Sequence, residues 1–429
     1  MMVVGVHHDN FDLWDSKYQP WNSVRIGPKK DMIGGWAEAA KKNGMRFCIT
    51  FHHEYSWWWW ADAYKADTKG PKAGVPYDGN LTLADGKGKW WEGLDPRLLY
   101  NINLGEYHLH DVKTERSGVK TEKYFPVTEI AFGRRGIFQD HQEYAKWYAE
   151  RWARRIQDAI EKYDPDMFYT DGNTSEPFCG DQSGSGFKCD AARRVVADFY
   201  NRALAKNGKV DKIAFIKFQV GNPAIGVTSE VGVPRNIKLD QPWIGENPIG
   251  DWYYGPNYQY EAVNLVRSLL EYASRGGNYA CAVPLTPEGD LEPACEQMLS
   301  DMGAWMKING EGLYGSTAWK KWGEGPGRVF QGKLGAGTAA IPYGTSDFRF
   351  TQGKDGSVYA WCLAVPKPGE TLRITSLGTK AKLLDRPIKS VRLLGGPEVP
   401  YHQEGDALTM TCPGSMPFRH AVGFKVSLQ

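Results

Sequence analysis

The sequence predicts an α/β fold in which a parallel (β/α) barrel is followed by an antiparallel β-sandwich. Strand and helix patterns alternate over the first two thirds of the 429 residues, which is typical of βαβ units. After about Lys320 the pattern changes to short alternating segments with turn residues between them, which favours a sandwich. We therefore predict a barrel over residues 1–320, with a Trp-rich insertion at 54–138, and a sandwich over residues 321–429.

The barrel elements follow from hydrophobic periodicity and from turn signals. Short apolar runs predict strands at residues 2–6, 46–51, 166–171, 213–219 and 277–284. Apolar residues at helical spacing predict helices at residues 31–43, 140–163, 190–206, 257–274 and 296–309. The strand at 2–6 reads as an interior strand although it starts at the first residue, so we expect a barrel that lacks its first strand–helix unit.

The sandwich is predicted from period-two alternation between turn residues. The expected strands lie at residues 346–351, 358–364, 371–376, 391–394, 407–411 and 421–428. The last barrel strand is expected just before them, near residues 313–318.

Composition excludes some function classes and favours one. The net charge is only +2 and no basic run is visible, so we expect no nucleic-acid partner. No apolar stretch reaches the length of a membrane span. The chain has 17 Trp and 22 Tyr, and flat aromatic faces pack well against the C–H faces of sugars. This favours glycan chemistry, although a Trp-rich core explains the same composition.

The cysteines give no sign of a metal centre. There are seven, and none of their spacings resembles a zinc site. Cys179 and Cys189 flank a Gly/Ser-rich loop, where they can pair or remain free thiols. We expect neither a metal nor another cofactor.

Asp171 is the first candidate for a reacting group. It ends the apolar strand at 166–171 and precedes Gly172. Chemistry in parallel α/β folds collects at the carboxyl ends of the strands. An Asp that merely starts a turn before a Gly is the alternative.

His7 and His8 lie at the end of the first predicted strand. Two adjacent residues of a regular strand point to opposite faces, which disfavours joint metal ligation. Beyond the last ladder bond, both imidazoles can reach one cleft and bond sugar hydroxyls. One packed and one solvated histidine is the alternative.

Several motifs together resemble the α-L-fucosidases of glycoside hydrolase family 29. In chain order they are His7-His8-Asp9-x-Phe-x-Leu-Trp, Trp21-Asn22-Ser23, Gly27-Pro28-Lys29-Lys30-Asp31, Tyr169-Thr170-Asp171-Gly172, Gly277-Asn278 through Pro284 and Gly289, Gly303-x-Trp305-x-x-x-Asn309-Gly310-Glu311-x-x-Tyr314, and Asp347-x-Arg349-Phe350-Thr351. Each motif is weak or moderate, but their ordered combination is specific and covers nearly the whole chain.

The resemblance implies a retaining exo-glycosidase that releases α-L-fucose from a fucosylated glycan. Asp171 then matches the nucleophile, and Glu230 resembles the acid/base of some members, with Glu246, Glu54 and Glu176 as alternatives. A solvated loop glutamate is the other interpretation of Glu230. A retaining mechanism requires the two carboxyl groups about 5–5.5 Å apart.

The resemblance also implies a substrate-binding set. Its members are His7, His8, Tyr169 and Trp252, and Trp14 and Trp57 are further candidates for substrate binding. Within the insertion, the tryptophans at 57–60, 90 and 91 are expected over the catalytic mouth, where they line leaving-group subsites or merely pack the insertion onto the barrel.

The chain departs from the family pattern in four places. His52-His53-Glu54 stands where many members have Tyr or Ser and then Glu-Trp. Trp243 is followed by Ile244 instead of Glu, and Lys217 is the nearest candidate for the basic residue usual before the acid/base. The family's first strand, with a sugar-binding His-Trp-Gly segment, has no counterpart.

Three other functions stay open. One is another barrel glycoside hydrolase acting on a related sugar, and the second is a non-catalytic glycan-binding barrel. The third is a metal hydrolase, which requires the imidazoles of His7, His8, His52 and His53 to converge. The resemblance implies export, although no signal peptide is visible, and the sequence predicts no oligomeric state.

Overall fold

The computed structural model describes most of the chain, in two compact units. The described residues are 1–54, 56, 60, 66–75, 77, 81–101, 114–116, 119–121, 142–171, 190–217, 221–230, 232–255, 258–327, 342–417 and 419–429. The first unit is Met1–Val227 and the second is Thr228–Gln429. Each unit is described by itself below.

A four-stranded parallel sheet forms the centre of the first unit. Its strands, in spatial order, are β1 (Met2–Val6), β2 (Cys48–Phe51), β5 (Met167–Thr170) and β6 (Ile213–Ile216). Between β2 and β5 the chain forms a short antiparallel pair, β3 (Thr114–Arg116) and β4 (Val119–Thr121). Because the four strands are parallel and in register, their carboxyl ends meet at one edge of the sheet.

Within the described residues, four α-helices accompany this sheet along the chain. They are α1 (Met32–Lys42), α2 (Pro96–Tyr100), α3 (Gln142–Tyr163) and α4 (Ala191–Asn207). The Asp31 side chain caps α1 by accepting a hydrogen bond from the backbone N–H of Gly34. Trp152, Ile156 and Ile160 of α3 are buried in the same core as Phe51 and Phe168.

A buried ion pair fixes the loop after β1 to α3. Arg155 is 1% exposed, and its guanidinium contacts both carboxylate oxygens of Asp12, which is fully buried. The same guanidinium donates to the side-chain oxygen of Asn10. Asn10 in turn donates to the backbone carbonyls of Leu98 and Leu99 in α2. These bonds hold the segment that directly follows His7 and His8.

Apart from Val227, the last residue of the first unit, a three-stranded sheet begins the second unit. Its strands, in order, are β7 (Val227–Glu230), β8 (Trp243–Pro248) and β9 (Asn278–Ala282), and β8 pairs with β9 in parallel. Two helices, α5 (Ala262–Ala273) and α6 (Pro293–Asn309), flank β9 in the sequence.

Two antiparallel sheets follow in the second unit. The larger has the order β10 (Thr317–Glu324), β11 (Phe348–Gln352), β12 (Val358–Cys362), β17 (Val422–Leu428) and β14 (Ile388–Leu393). The smaller has the order β13 (Thr371–Ile374), β16 (Leu408–Thr411) and β15 (Tyr401–Gln403). Side chains of both sheets share one core, in which Phe350 and Val426 meet Leu372 and Leu408. The predicted parallel and antiparallel regions are confirmed.

Some elements differ from the sequence prediction. The stretch near residues 313–318 does not form a last barrel strand, because from Thr317 the chain enters β10 and pairs antiparallel with β11. The predicted boundary at residue 320 falls within β10 and remains a prediction. The parallel strands lie in two sheets in the part of the chain described, so closure into a barrel also remains a prediction. Of the described helices, none combines the length and apolar character of a membrane span.

The Arg155–Asp12 pair gives a stability prediction with a control on the same helix. Replacing Arg155 with Ala should lower the free energy of unfolding by about 3–5 kcal/mol, because Asp12 is left buried and unpaired. Arg154→Ala removes an exposed pair with Glu150 and should cost only about 0–1 kcal/mol. Urea unfolding monitored by Trp fluorescence measures both. Equal costs for the two variants would show that burial does not determine the importance of the pair.

Candidate active site

The carboxyl ends of the four parallel strands bring four polar residues together. His7, His52, Asp171 and Lys217 are each the first residue after a strand. The ladder continues through the backbone of three of them. His52 donates its backbone N–H to Val6, Asp171 to Phe51 and Lys217 to Thr170, at N···O distances of 2.9, 2.9 and 3.3 Å. The sheet register therefore fixes the backbone position from which each of these side chains extends.

Asp171 lies at the centre of this group. One carboxylate oxygen, Oδ2, lies 2.9 Å from Nδ1 of His52 and 3.9 Å from Nε2 of His8. The other, Oδ1, contacts the Lys217 ammonium and accepts a 3.2 Å hydrogen bond from the Tyr169 hydroxyl. The Asp171 side chain is 17% exposed, so the carboxylate is shielded but reachable.

The surroundings keep Asp171 ionised. Burial by itself raises the pKa of this carboxyl, but the hydrogen bond and charge of His52 and the charge of Lys217 outweigh burial. The net result is a pKa well below the ordinary value. Asp171 is therefore an anion throughout the neutral range, as an attacking carboxylate must be.

Three imidazoles converge beside this carboxylate. The ring of His7 lies 4.3 Å from that of His8 and 4.9 Å from that of His52, between centroids. Their ligating atoms all lie within 4.8 Å of one another, a spacing that a metal ion can bridge after small rotations. His53 does not join them, because it is buried and stacks on Trp152.

The two adjacent histidines of the sequence motif share one cleft because β1 ends at Val6. His8 lies beyond the ladder, where Nδ1 bonds the backbone carbonyl of His52 at 2.6 Å. That bond leaves Nε2 of His8 directed toward Asp171. The interpretation of one packed and one solvated histidine is wrong, since both rings line the same site.

His7 and His8 are held in the neutral form. Burial is the largest cause, and the neighbouring imidazoles oppose a second positive charge. These effects lower the pKa of His7 to about 3, and they also lower the pKa of His8. A neutral imidazole both donates and accepts a hydrogen bond, as contact with a hydroxyl requires.

Glu54 is a second carboxyl group at the same edge of the sheet. It lies three residues beyond β2 and is only 1% exposed. Burial, followed by the charge of Asp171, raises its pKa well above the ordinary value. Glu54 is therefore a neutral carboxylic acid while Asp171 is ionised.

Trp14 does not lie where the sequence predicted. It is fully buried in the core of the first unit, edge-on to Phe51, and its indole N–H donates to Asp158 at 2.9 Å. A side chain without an exposed face offers no surface to a sugar, so we assign Trp14 a structural role. Trp57 and Glu176 lie outside the described residues, as do Cys179 and Cys189.

The described part of the insertion contacts the loop after β1. Trp60 donates its indole N–H to the backbone carbonyl of Asp9, next to His8. Trp91 is buried against Trp21, whereas Trp90 is 76% exposed and lies edge-on to Trp21. Trp91 therefore fits the interpretation that the insertion tryptophans pack onto the fold. Trp90 has the exposed aromatic face that a leaving-group subsite requires.

The second unit carries the other candidate residues. Glu230 ends β7 and is half-buried, whereas Glu246 lies within β8 and is buried. Trp252 follows β8 and is 40% exposed, and the neighbouring Tyr253 is also exposed.

The sequence alone did not place His52 and Lys217 beside Asp171. His52 appeared only as a departure from the family pattern or a metal ligand, and Lys217 as a basic residue before the acid/base. The signal that could have found them is their place in the sequence, directly after a predicted strand. In a parallel sheet, such residues lie at the same edge as Asp171.

Comparisons with known proteins identify the family of the chain. The family model described as Alpha-L-fucosidase matches residues 1–311. Plasma alpha-L-fucosidase of Homo sapiens is 38% identical over 331 residues, which cover 75% of this chain and 53% of that protein. Alpha-L-fucosidase of Branchiostoma floridae is 22% identical over 396 residues, which cover 89% and 67% respectively. This chain thus spans only part of the length of these relatives.

Solved structures show the same fold at low identity. Thermotoga maritima alpha-fucosidase matches with a TM-score of 0.59 and 18% identity, over 99% of this chain and 75% of that one. Alpha-L-fucosidase isoenzyme 1 from Paenibacillus thiaminolyticus matches with a TM-score of 0.58 and 17% identity, over 100% and 82%. Such enzymes combine a barrel with a β-sandwich.

The family model and the curated relatives thus identify the chain as a glycoside hydrolase. More specifically, the chain belongs to the α-L-fucosidase family, and the resemblance seen in the sequence is confirmed.

The neutral histidines give a pH prediction. Because the pKa of His7 is about 3 in the folded chain and 6.5 ordinarily, the unfolded chain binds more protons between these values. The contribution of His7 to stability is therefore complete above pH 6.5 and is lost as the pH falls toward 3. An NMR titration of ¹³C-labelled imidazoles should find His7 still neutral at about pH 5. Protonation of His7 near its ordinary pKa would contradict the described burial.

Proposed function

We propose that this chain is a retaining exo-glycosidase that releases terminal α-L-fucose from glycans. The observation that carries the proposal is the environment of Asp171, a partly reachable carboxylate held ionised by Lys217 and His52. Membership of the α-L-fucosidase family indicates that the released sugar is α-L-fucose. Thermotoga maritima alpha-fucosidase, one of the similar solved structures, was determined in complex with fucose, which supports the same sugar here.

In the proposed mechanism, Asp171 attacks the anomeric carbon and displaces the leaving group. The bond from the anomeric carbon to the leaving oxygen breaks as a bond to an Asp171 oxygen forms. A second carboxylic acid protonates the leaving oxygen and later takes a proton from the attacking water. Two displacements at one carbon return the original stereochemistry.

We assign the acid/base role to Glu230, with Glu246 as the alternative. Glu230 ends a strand and is half-buried, so its carboxyl group is reachable by a leaving oxygen and by water. Glu246 lies in the middle of a strand and is more deeply buried. A group that exchanges protons with substrate and water requires the accessibility that Glu230 has.

The sugar contacts are proposed from the same residues. His7 and His8, held neutral beside Asp171, offer ring nitrogens to the hydroxyl groups of fucose. Tyr169 is almost fully buried, and its hydroxyl donates a hydrogen bond to Asp171. Tyr169 therefore orients the nucleophile. Trp252 exposes an apolar face suited to the sugar methyl group.

The remaining proposals concern the whole protein. We propose that the parallel strands form a (β/α) barrel, as in the family, with the sandwich following it. We also propose export of the protein, because the substrate class consists of fucosylated glycoconjugates.

Asp171 gives the first functional prediction. Asp171→Asn should abolish hydrolysis of aryl α-L-fucosides, because an amide cannot form the glycosyl ester, while circular dichroism shows an intact fold. The control is Asp15→Asn, which makes the same change at an exposed aspartate in the loop after β1. Wild-type rates in Asp171→Asn would contradict the assignment. A wild-type chain that binds fucose without any turnover would favour the glycan-binding interpretation.

The acid/base assignment gives a second prediction. Glu230→Ala should retain the first step on substrates with good leaving groups, which need little protonation, and lose most activity on natural glycans. Azide should partly restore turnover by attacking the intermediate without base assistance. NMR of the fucosyl azide should show retained configuration. Rescue of Glu246→Ala instead would move the role to Glu246.

Trp90 gives a third prediction, on leaving-group binding. Trp90→Ala should raise KM for fucosylated oligosaccharides several-fold, because stacking contributes about 0.5–1.5 kcal/mol, and should leave KM for small aryl fucosides unchanged. Tyr253→Ala is the control, because it removes another exposed aromatic side chain, in the second unit. Equal effects of Trp90→Ala on both substrate types would show that Trp90 has no part in leaving-group binding.

The convergence of His7, His8 and His52 favours one second candidate, a metal-dependent hydrolase. Three histidines are a donor set that suits Zn²⁺. Metal analysis of the purified protein and assay after dialysis against a chelator distinguish the two functions. The glycosidase proposal expects full activity after chelation, and a metal hydrolase loses it until Zn²⁺ is restored.

A further inference from the structure

Thr50 has no role in the mechanism proposed above, yet its side chain contacts His52 on one face of β2. Side chains of a strand alternate between its two faces, so residues two positions apart point the same way. His52 follows β2 directly and continues the ladder by donating its backbone N–H to Val6. The alternation therefore extends to His52, and the Thr50 hydroxyl oxygen lies 3.0 Å from Nε2 of the imidazole. Thr50 is 6% exposed, so this contact is shielded from water.

The other ring nitrogen of His52 faces the nucleophile, with Nδ1 lying 2.9 Å from Oδ2 of Asp171. A carboxylate offers only acceptors, so Nδ1 carries the hydrogen and donates it. In a neutral ring Nε2 is then an acceptor, and the Thr50 hydroxyl donates to it. In a protonated ring both nitrogens donate, and both contacts remain. The two nitrogens of His52 are therefore engaged in either form of the ring.

The neighbouring strand has the same arrangement. Thr50 pairs with Tyr169 of β5, and the Tyr169 hydroxyl donates to Oδ1 of Asp171 at 3.2 Å. In each strand the residue that the hydroxyl contacts comes two positions later along the chain. The two hydroxyl groups thus act on different oxygens of one carboxylate. Tyr169 acts directly on Oδ1, and Thr50 acts on Oδ2 through His52.

The contact with Thr50 opposes one particular motion of the His52 ring. A histidine ring turns easily about its Cβ–Cγ bond, because this torsion has a broad, roughly two-fold profile. His7 stacks on the ring at 4.9 Å between centroids, but a half-turn keeps the ring plane, so the stack does not oppose it. A half-turn places Cδ2 where Nδ1 lies, and Asp171 then loses a hydrogen bond. The same half-turn moves Nε2 away from Thr50, whose β-branched side chain is stiff at χ1.

We propose that Thr50 is a positioning residue whose hydroxyl fixes the orientation of the His52 ring, so that Nδ1–H stays directed at Oδ2 of Asp171. The proposal rests on the nucleophilic role proposed above for Asp171. A carboxylate held at both oxygens meets the anomeric carbon in a defined geometry, which the displacement requires. Thr50 acts through His52 and not on the sugar, so its effect falls on the reaction rate and not on sugar binding.

The first experiment requires no turnover. The chain has nine histidines, so ¹⁵N-histidine labelling gives a simple NMR spectrum, and His52→Gln assigns the His52 signals. The Nδ1–H resonance of His52 should be visible in the wild type, because a hydrogen held by a carboxylate exchanges slowly with water. Thr50→Val, which removes the hydroxyl and keeps the branched shape, should lose this resonance, and Thr50→Ser should keep it. Absence of the resonance from the wild type, or its persistence in Thr50→Val, overturns the proposal.

The second experiment separates catalysis from sugar binding. Thr50→Val should lower kcat for an aryl α-L-fucoside by about 10-fold to 100-fold, because a small misplacement of a reacting group has a cost of this order. The dissociation constant of L-fucose, measured by calorimetry, should stay unchanged, and Thr50→Ser should restore kcat. An unchanged kcat in Thr50→Val overturns the proposal. So does the same loss of kcat in Thr50→Ser, or a loss of fucose binding as large as the loss of kcat.

Thr351→Val is the matched control. Thr351 is another buried strand threonine, and its hydroxyl donates to the carbonyl of Gly312 at 2.7 Å and accepts from the Trp361 indole at 2.9 Å. It lies in β11 of the second unit, so its replacement should lower stability and leave kcat and the His52 resonance unchanged. An equal loss of kcat in Thr50→Val and Thr351→Val would attribute the effect to stability and overturn the proposal.

Failure of the proposed function gives a different result. If the wild type hydrolyses no α-L-fucoside, the glycosidase proposal is wrong, and the NMR comparison still decides whether Thr50 holds the ring. If Thr50→Val does not fold, Thr50→Cys replaces it, because a thiol resembles the serine hydroxyl in shape but is a weak hydrogen-bonding group. The His52 resonance should then be present in Thr50→Ser and lost in Thr50→Cys. The same resonance in both variants overturns the proposal.

Discussion

The contact between Lys217 and Asp171 is the interaction on which the candidate site depends. Asp171 is largely shielded from water, and burial alone would favour its protonated form. A protonated carboxyl is a poor nucleophile, so the role proposed for Asp171 requires that the cost of burial be compensated. The Lys217 ammonium and the hydrogen bond with His52 provide this compensation, and the parallel register places both residues one position after a strand, as it places Asp171.

Buried residues of the first unit support this arrangement. The Arg155–Asp12 pair holds the loop that follows His7 and His8, and Trp14 fills the core beneath it. His7 and His8 are neutral, so they line the site without adding positive charge to that of Lys217. Stability and site geometry are therefore linked in the first unit, because these bonds hold the segment that directly follows His7 and His8.

Much of this architecture could be predicted from the sequence. Helical spacing located α1, α3 and α4 to within two residues, and the apolar run before Asp171 located β5. The strands β7 and β8 were missed, because short strands with Thr, Ser, Gly and Pro lack a clear alternating pattern. The functions of His52 and Lys217 were missed because they depend on which strands are neighbours, and pairing between distant segments is not visible in local periodicity.

The role of Lys217 provides the most direct test of the account. Lys217→Met removes the positive charge, so the pKa of Asp171 should rise. The Asp171 carboxyl group should then ionise only at higher pH. The acidic limb of the pH profile of kcat/KM, measured with an aryl α-L-fucoside, should therefore move to higher pH, with activity partly recovered above it. An acidic limb at the same pH in Lys217→Met and in the wild type would contradict the account.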